Sequence, residues 1–151
     1  MDTAQVALQL NKKFDQLQLL LLEDYRHFVR FDLTPQSEAI LNYVMSQSNT
    51  TPSEIGTAFR ISRSAVTQVL NRLEADGFIQ RRRADSDKRV TLVSLGKQGL
   101  EYQVALAELT THLSKTYYSQ IDKRELNRLV TSLDQLIDVV TRVKEDNDGT
   151  R

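Results

Sequence analysis

The sequence predicts a mostly α-helical fold that carries one small β-hairpin. Apolar residues recur at every third or fourth position over most of the chain, which is the period of an amphipathic helix. The 151 residues include only five Gly and two Pro, so few positions favour breaks between helices. After Gly77 the pattern changes to two short β-compatible runs separated by turn-forming residues. These observations together predict long helices with a single hairpin between them.

Residues 3–30 contain neither Pro nor Gly and predict one long helix. Its apolar residues form a main stripe with further leucines beside it: Val6, Leu10, Phe14, Leu17, Leu21 and Phe28, together with Leu8, Leu19, Leu20 and Leu22. A helix that is apolar on more than one side needs more than one packing partner. Thr34 and Pro35 predict the start of a second helix, since Thr can cap it and Pro suits its first position.

Two short helices joined by a tight turn are predicted next. Residues 51–54 form a capping box with Pro52 in the first turn, and Ser62 can cap another helix only three residues after Phe59. This spacing is typical of a helix-turn-helix. The second helix places apolar residues on one side and polar residues on the other, and Gly77 ends it.

Residues 78–83 and 90–95 predict the two strands of the hairpin, and residues 84–89 form its charged tip. A helix to about residue 118 follows, and the last helix carries six heptad-like apolar positions that call for a partner helix: Leu126, Leu129, Leu133, Leu136, Val140 and Val143. We therefore expect residues 34–96 to form a winged helix-turn-helix region, and residues 1–33 and 97–145 to form a helical dimerisation region. Residues 146–151 are expected to be a disordered tail.

Charge is segregated along the chain although the net charge is zero. Residues 60–97 contain nine Lys or Arg against four Asp or Glu, whereas residues 1–59 contain four against seven and residues 98–151 seven against nine. A basic segment inside an acidic chain is the pattern expected when one surface neutralises phosphates. The charge pattern therefore indicates a nucleic-acid partner for the helix-turn-helix and the hairpin.

Several classes of chemistry have no support in the sequence. The chain contains no cysteine, which excludes disulfides and thiolate metal sites, and His27 and His112 lie far apart without nearby ligands. No nucleophile elbow, phosphate loop or zinc motif is present, so we expect neither an enzyme nor a cofactor. The longest apolar run is too short for a bilayer, and the first residues lack the pattern of a signal peptide. We expect a cytoplasmic protein without a membrane partner.

Residues 55–99 resemble the MarR family of bacterial transcription regulators. The resemblance rests on the helix-turn-helix, on the segments Arg72-Leu73-Glu74 and Gly77-Phe78-Ile79, and on Asp87-Lys88-Arg89 followed by Leu95 and Gly99. Two positions depart from the pattern. Arg60 occupies a turn position where Gly is frequent, so a left-handed Arg60 would carry a cost of roughly 1–2 kcal/mol. Gly96 replaces the usual Thr with a somewhat weaker N-cap.

The polar side of the second helix predicts a surface that contacts DNA bases. Ser64, Thr67 and Gln68 are favoured, because the N-terminal half of a recognition helix enters the groove most deeply, and Gln or Asn can pair with adenine through two hydrogen bonds. The candidate DNA-binding residues are Ser62, Arg63, Ser64, Thr67, Gln68, Asn71, Arg72, Arg82, Lys88 and Arg89. A polar helical face usually only contacts solvent, but the turn before this helix and the basic hairpin after it favour contact with bases.

The arginines of the hairpin have different expected roles. Strand alternation places Arg81 and Arg83 on one face and Arg82 on the other, so at most some of them contact phosphate. The family resemblance implies that Arg89 enters the minor groove and that Asp87 orients it. The alternative for Arg89 is a surface salt bridge in the turn.

The resemblance also implies partners and regulation. It implies a homodimer that binds double-stranded DNA at a pseudo-palindromic operator, acts as a repressor, and responds to a small aromatic effector. Aromatic residues available to line an effector site are Phe14, Tyr25, Phe28, Phe31, Tyr43 and Tyr102, although such residues at helical spacing are more often core. The alternative function is a winged-helix module for protein–protein interaction, which an apolar exposed helix face would favour.

Overall fold

A computed structural model describes residues 1–149 and has six α-helices and one two-stranded antiparallel sheet in this part of the chain. A short 3-10 turn, Tyr118–Gln120, precedes the last helix. The mostly α-helical fold with one hairpin is confirmed. In chain order the elements are α1 Thr3–Phe28, α2 Pro35–Ser46, α3 Pro52–Phe59, α4 Arg63–Ala75, β1 Ile79–Arg83, β2 Thr91–Leu95, α5 Lys97–Thr116 and α6 Lys123–Asp148.

The helices of the winged-helix region begin at the caps that the sequence predicts. The Thr34 hydroxyl accepts a hydrogen bond from the Ser37 N–H at 3.2 Å, and the Ser62 hydroxyl accepts one from the Ala65 N–H at 3.1 Å. At α3 the capping box is complete, because the Glu54 carboxylate also accepts from the Thr51 N–H at 2.8 Å. Each cap satisfies a backbone donor that the helix itself leaves unpaired.

The turn between α3 and α4 has the left-handed conformation that the sequence analysis considered for Arg60. Arg60 has a φ of 53° and a ψ of 44°, and it is the one non-glycine residue with positive φ among residues 1–149. This conformation carries a steric cost of roughly 1–2 kcal/mol for a residue with a Cβ atom. Gly77, with φ at 80°, ends α4 without that cost.

The hairpin packs onto α2, α3 and α4 to close the core. β1 pairs with β2 so that Ile79 lies opposite Leu95 and Arg83 opposite Thr91. Thr50, before α3, adds a further bridge, because its backbone exchanges hydrogen bonds with Val93 at 2.7 and 3.3 Å. The fully buried side chains of this core are Ile40, Leu41, Val44, Ile55, Val66, Leu70, Leu73, Val93 and Tyr102, with Thr50.

Gly96 allows two backbone segments to approach each other closely, a role separate from helix capping. A Cβ atom at this position would lie 2.5 Å from the Gly77 carbonyl oxygen and 3.1 Å from the Ile79 carbonyl oxygen. Side-chain atoms do not approach backbone this closely without a shift of the backbone. The glycine therefore allows the end of β2 to lie against the segment that follows α4.

The chain divides into two compact units, one from Met1 to Leu109 and one that begins at Thr110. The first unit contains α1, the winged-helix elements and most of α5. α6 continues to Asp148, where the Gly149 N–H donates to the Glu145 carbonyl at 3.1 Å. Three residues of the expected tail 146–151 are thus helical, and residues 150 and 151 lie outside the described residues.

Candidate nucleic-acid interface

Helix α4 separates apolar and polar residues between its two sides. Val66, Leu70 and Leu73 are at most 2% exposed and attach the helix to the core. The side chains on the opposite side are polar and lie in solvent, as an interface for DNA requires. These exposed residues are Arg63, Ser64, Thr67, Gln68, Asn71 and Arg72.

Ser62, at the N-cap of α4, and two of these exposed residues already have a partner within the fold. The Ser62 hydroxyl caps α4, and the Thr67 hydroxyl donates to the Arg63 carbonyl at 2.9 Å. Thr67 therefore offers acceptor lone pairs and a methyl group outward, and a thymine methyl is a suitable apolar contact. Asn71 accepts a hydrogen bond from Arg81 at 2.8 Å.

Arg81 links β1 to α4 rather than extending into solvent. Its backbone N–H donates to Glu74 Oε2 at 2.9 Å, and its guanidinium donates to both Glu74 oxygens, at 3.2 Å to Oε2 and 2.9 Å to Oε1. The hydrogen bond from the Arg81 side chain is the main cause that lowers the pKa of Glu74, against a smaller opposing effect of burial. The sequence analysis did not identify this cluster, which joins the recognition helix to the hairpin.

The hairpin tip presents an arginine whose orientation is fixed by its neighbour. Arg89 Nε and Nη2 donate to the two Asp87 oxygens, each at 3.1 Å, and the Arg89 N–H donates to Asp87 Oδ1 at 3.0 Å. The Arg89 side chain is nevertheless 91% exposed. Hydrogen bonds from the Arg89 side chain and backbone lower the pKa of Asp87. The pair presents a positive, planar group at the tip.

The other basic residues of the hairpin differ in exposure and contacts. Lys88 lies 3.5 Å from Asp85, and both side chains are largely exposed. Arg82 is exposed on β1, and Arg83 donates to the Thr91 hydroxyl at 3.1 Å across the hairpin. Surface pairs of this kind contribute little to stability, so these charges remain available to phosphates.

A groove of about 800 Å³ lies between α3, α4 and the hairpin. Arg63 and Thr67 of α4 line it with Arg89 of the tip, so three predicted residues meet here. Three hydroxyl groups that were not among the predicted residues also line the groove: Thr51 and Ser53 at the start of α3, and Thr57 in its second half. The signal was present, since a helix start rich in hydroxyls that directly precedes a recognition helix suits phosphate contacts.

The aromatic residues considered for an effector mostly pack into the first unit. Tyr102 is fully buried, and its hydroxyl lies 3.2 Å from both Glu38 Oε1 and Asn42 Oδ1. The Tyr25 hydroxyl also bonds to Glu38, and burial is the largest of the effects that raise the pKa of both tyrosines. The Phe31 ring lies edge-on to Tyr102 at 5.6 Å. These contacts tie α1, α2 and α5 together by polar and aromatic packing.

Neither a metal site nor a membrane helix is found in the described part of the chain. Residues 1–149 contain no group of three or more His, Cys, Asp or Glu side chains that could hold a metal ion. In the same residues, no helix combines the length and the hydropathy that crossing a bilayer requires.

The region of the chain that forms this site is also the region that matches known proteins. The family model described as MarR family matches residues 31–90, which include α2, α3, α4, β1 and the hairpin tip. The match covers about two fifths of the chain, and over these residues the chain is similar to the MarR family. Members of this family are transcription regulators and not enzymes.

Individual MarR-family relatives and structures show how far the similarity extends. The Transcriptional repressor MprA of Escherichia coli K12 is 32% identical over 93 residues, which cover 56% of this chain and 52% of MprA, so the chain matches about half of that relative's length. The structure of Streptococcus pneumoniae FabT in complex with DNA has a TM-score of 0.73 at 21% identity and covers 94% of this chain and 99% of FabT. S. aureus MepR bound to ethidium bromide has a TM-score of 0.65 at 20% identity, over 86% and 95% of the chains. These two structures share the fold of this chain.

Proposed function

We propose that this chain is a regulator of the MarR type that binds double-stranded DNA sequence-specifically, as a homodimer on a pseudo-palindromic operator. One observation carries the proposal: Arg63, Thr67 and Arg89, from the recognition helix and the hairpin tip, line one open groove. Arginine and hydroxyl groups are the side chains that contact DNA phosphates and base edges. The FabT structure, which contains DNA, has the same fold.

Base recognition is assigned to the exposed side of α4, and first to the residues of its N-terminal half. Ser64, Thr67 and Gln68 are exposed on the first two turns, whereas Val66 and Leu70 anchor the other side of the helix. A rigidly anchored helix positions its side chains better than a loop does, because their rotamers are then the main remaining freedom. Gln68 is the longest of the three and offers both a donor and an acceptor to a base edge.

The hairpin is assigned to the minor groove through Arg89. Two hydrogen bonds to Asp87 hold the guanidinium in one plane while leaving it 91% exposed. A narrow, A·T-rich minor groove has enhanced negative potential and attracts such a group. The exposed neighbours Arg82 and Lys88 are assigned to phosphates, which contribute affinity without sequence preference.

Dimerisation is assigned to apolar residues that the chain leaves exposed. Within α1, which is described throughout, no residue is buried, and Leu8, Leu19 and Leu20 are 56%, 72% and 68% exposed. Within the heptad-like stripe of α6, Leu129 and Val143 are 55% and 50% exposed. Exposed apolar surface of this extent marks a contact with another chain. A second copy satisfies both the heptad-like stripe of α6 and the symmetry of a palindromic operator.

Repression and effector release complete the proposal. MprA is named a transcriptional repressor, and the MepR structure contains ethidium, an aromatic ligand. We therefore assign repression to this chain and a small aromatic molecule as the ligand that releases it from DNA. The test is release of a bound operator duplex by aromatic compounds; unchanged binding across such compounds would remove this part of the proposal.

The decisive test of DNA recognition is selection of bound sequences from random duplex DNA. Two symmetric recognition helices set one turn apart should select half-sites whose centres lie about 10 bp apart. The expected result is a pseudo-palindromic consensus with A·T-rich positions where the hairpin tips lie. Recovery of unenriched sequences would contradict the proposal and favour a protein-binding role for the winged-helix region.

A further inference from the structure

We propose that Arg81 fixes the orientation of the Asn71 amide, so that Asn71 recognises a base carrying a hydrogen-bond acceptor and excludes cytosine. This inference rests on the proposed DNA recognition by α4 and adds a specificity-determining pair to it. Asn71 is the residue that contacts DNA, and Arg81 acts through it as a positioning residue. The observation behind it is the hydrogen bond that joins the two side chains at 2.8 Å.

The orientation of the Asn71 amide follows from the chemistry of its partner. A guanidinium carries only donors, so the Asn71 atom that faces Arg81 Nη2 must be the amide oxygen. The amide nitrogen, with two N–H donors, is then the group left for another molecule. Asn71 is exposed on the polar side of α4, and we infer that this nitrogen faces the DNA there.

Arg81 is itself held firmly enough to impose this orientation. Its side chain is 27% exposed, and its backbone and guanidinium make three hydrogen bonds to Glu74. Glu74 lies on α4 three residues after Asn71, so Arg81 connects two positions on one side of the same helix. A guanidinium fixed by a carboxylate does not turn to follow a base.

The fixed amide changes which bases Asn71 can recognise. A two-bond pair with adenine needs the amide oxygen to accept from the N6 amino group, and this would bring that amino group against the donors of Arg81. A donor alone can bond to N7 of adenine or guanine, or to O4 of thymine. Cytosine presents only its N4 donor in the major groove. The base that Asn71 faces should therefore be purine or thymine, with adenine and guanine both accepted.

The first experiment repeats the selection from random duplex DNA with wild type and with Asn71→Asp. Aspartate keeps an oxygen for Arg81 but replaces the outward donor with a second acceptor. The position that excludes cytosine in wild type should then prefer cytosine, by roughly tenfold, since Asp accepts from N4. Asn71→Ala should show no preference there. A substitution that merely destabilised the helix would lower binding to all sequences alike.

The second experiment removes the positioning residue. Arg81→Met in a Glu74→Gln background takes away the donor without leaving an unpaired carboxylate, and circular dichroism verifies the fold. Freed from Arg81, the Asn71 amide can turn and pair with adenine, so adenine should be enriched over guanine at that position by roughly tenfold. Arg83→Gln removes one charge from the same strand and is the matched control. It should weaken binding to all sequences alike, most strongly at low salt, without changing base preference.

Three outcomes would overturn the inference. These are a wild-type preference for adenine alone, a base preference that Arg81→Met leaves unchanged, and an equal loss on all sequences for an Asn71→Asp chain whose circular dichroism matches wild type. The last result would place Asn71 on a phosphate. Selection of no consensus by wild type is a separate result. It would overturn the proposed function itself, and the inference with it.

Discussion

At the scale of single residues, the wing arginine and its carboxylate partner are the clearest link between geometry and proposed function. Arg89 makes two hydrogen bonds to Asp87 and is still 91% exposed. An isolated exposed pair of this kind adds little to stability, so its contribution to folding does not explain the arrangement. Holding the guanidinium before DNA arrives reduces the conformational entropy lost on binding.

Replacement of Arg89 should alter DNA binding without altering the fold. Arg89→Ala is expected to lower affinity most for sites with A·T-rich flanks, and to reduce the slope of log affinity against log salt by roughly 0.9 per phosphate charge that is no longer neutralised. Arg89→Lys should restore only part of the affinity, because an ammonium lacks the planar fork that Asp87 orients. Fluorescence anisotropy over a salt series measures both. Unchanged affinity and slope for Arg89→Ala would show that the tip does not contact DNA.

Gly96 makes a second prediction at this scale, about stability. A Cβ atom there would lie 2.5 Å from the Gly77 carbonyl oxygen, so Gly96→Ala should lower the free energy of unfolding by roughly 1–3 kcal/mol. Gly56→Ala is the matched control. Its Cβ atom would meet its nearest atoms at 3.4 Å inside α3, where Ala is preferred over Gly by roughly 0.5–1 kcal/mol. Urea unfolding should therefore separate the two variants in opposite directions, and equal effects would refute the close-approach argument.

At the scale of elements, the sequence predicted helix starts and failed to predict cross-element contacts. The caps Thr34, Thr51 and Ser62 are local signals, because each bonds to a backbone N–H three residues ahead. The Arg81 cluster joins residues seven and ten positions apart across α4 and β1, so no short pattern reveals it. The groove depends on how three elements pack. For this reason the hydroxyls of α3 were missed although the roles of α4 and the hairpin were inferred.

The capping box of α3 gives a pH-dependent prediction. Hydrogen bonds from the Thr51 N–H and from the Thr50 hydroxyl lower the pKa of Glu54 below its ordinary value of 4.5. Ionised Glu54 therefore stabilises the fold above pH 4.5, and this stability is lost as the pH falls through the lower pKa of the folded state. Glu54→Gln should unfold with a weaker dependence on pH between about pH 5 and 3.

Urea unfolding at several pH values checks this expectation. Glu108→Gln, which changes a carboxylate on the exposed surface of α5, serves as the control and should keep the wild-type pH dependence. If Glu54→Gln and wild type lost stability in parallel on acidification, the capping box would not be the source of the effect.

At the scale of the whole molecule, a basic surface and exposed apolar helices account for the proposed assembly. Residues 60–97 carry the excess of Lys and Arg, while the segments before and after it are acidic. We expect this arrangement to attract DNA to the helix-turn-helix and the hairpin and to repel it from the remaining surface. The assignment of α1, α5 and α6 to a dimer interface is a prediction, which depends on apolar residues that one copy leaves in solvent.

A charge introduced on α6 should separate the two copies. Ile137 is 58% exposed in a single chain, so Ile137→Asp should leave the chain folded and prevent dimerisation by placing a carboxylate in the apolar contact. Sedimentation velocity at micromolar concentration distinguishes the two states. Asp138→Asn, a polar neighbour exposed on the same helix, should remain a dimer. A wild-type chain that sediments as a monomer would contradict the interface.

The most direct test of the account compares the affinity of the chain for its selected duplex with that for a scrambled duplex of the same length and composition. If α4 recognises bases, the selected duplex should bind at least roughly 10³-fold more tightly at physiological salt. Phosphate contacts alone would act on both duplexes equally. Equal affinities with the same dependence on salt would therefore contradict sequence recognition by this chain.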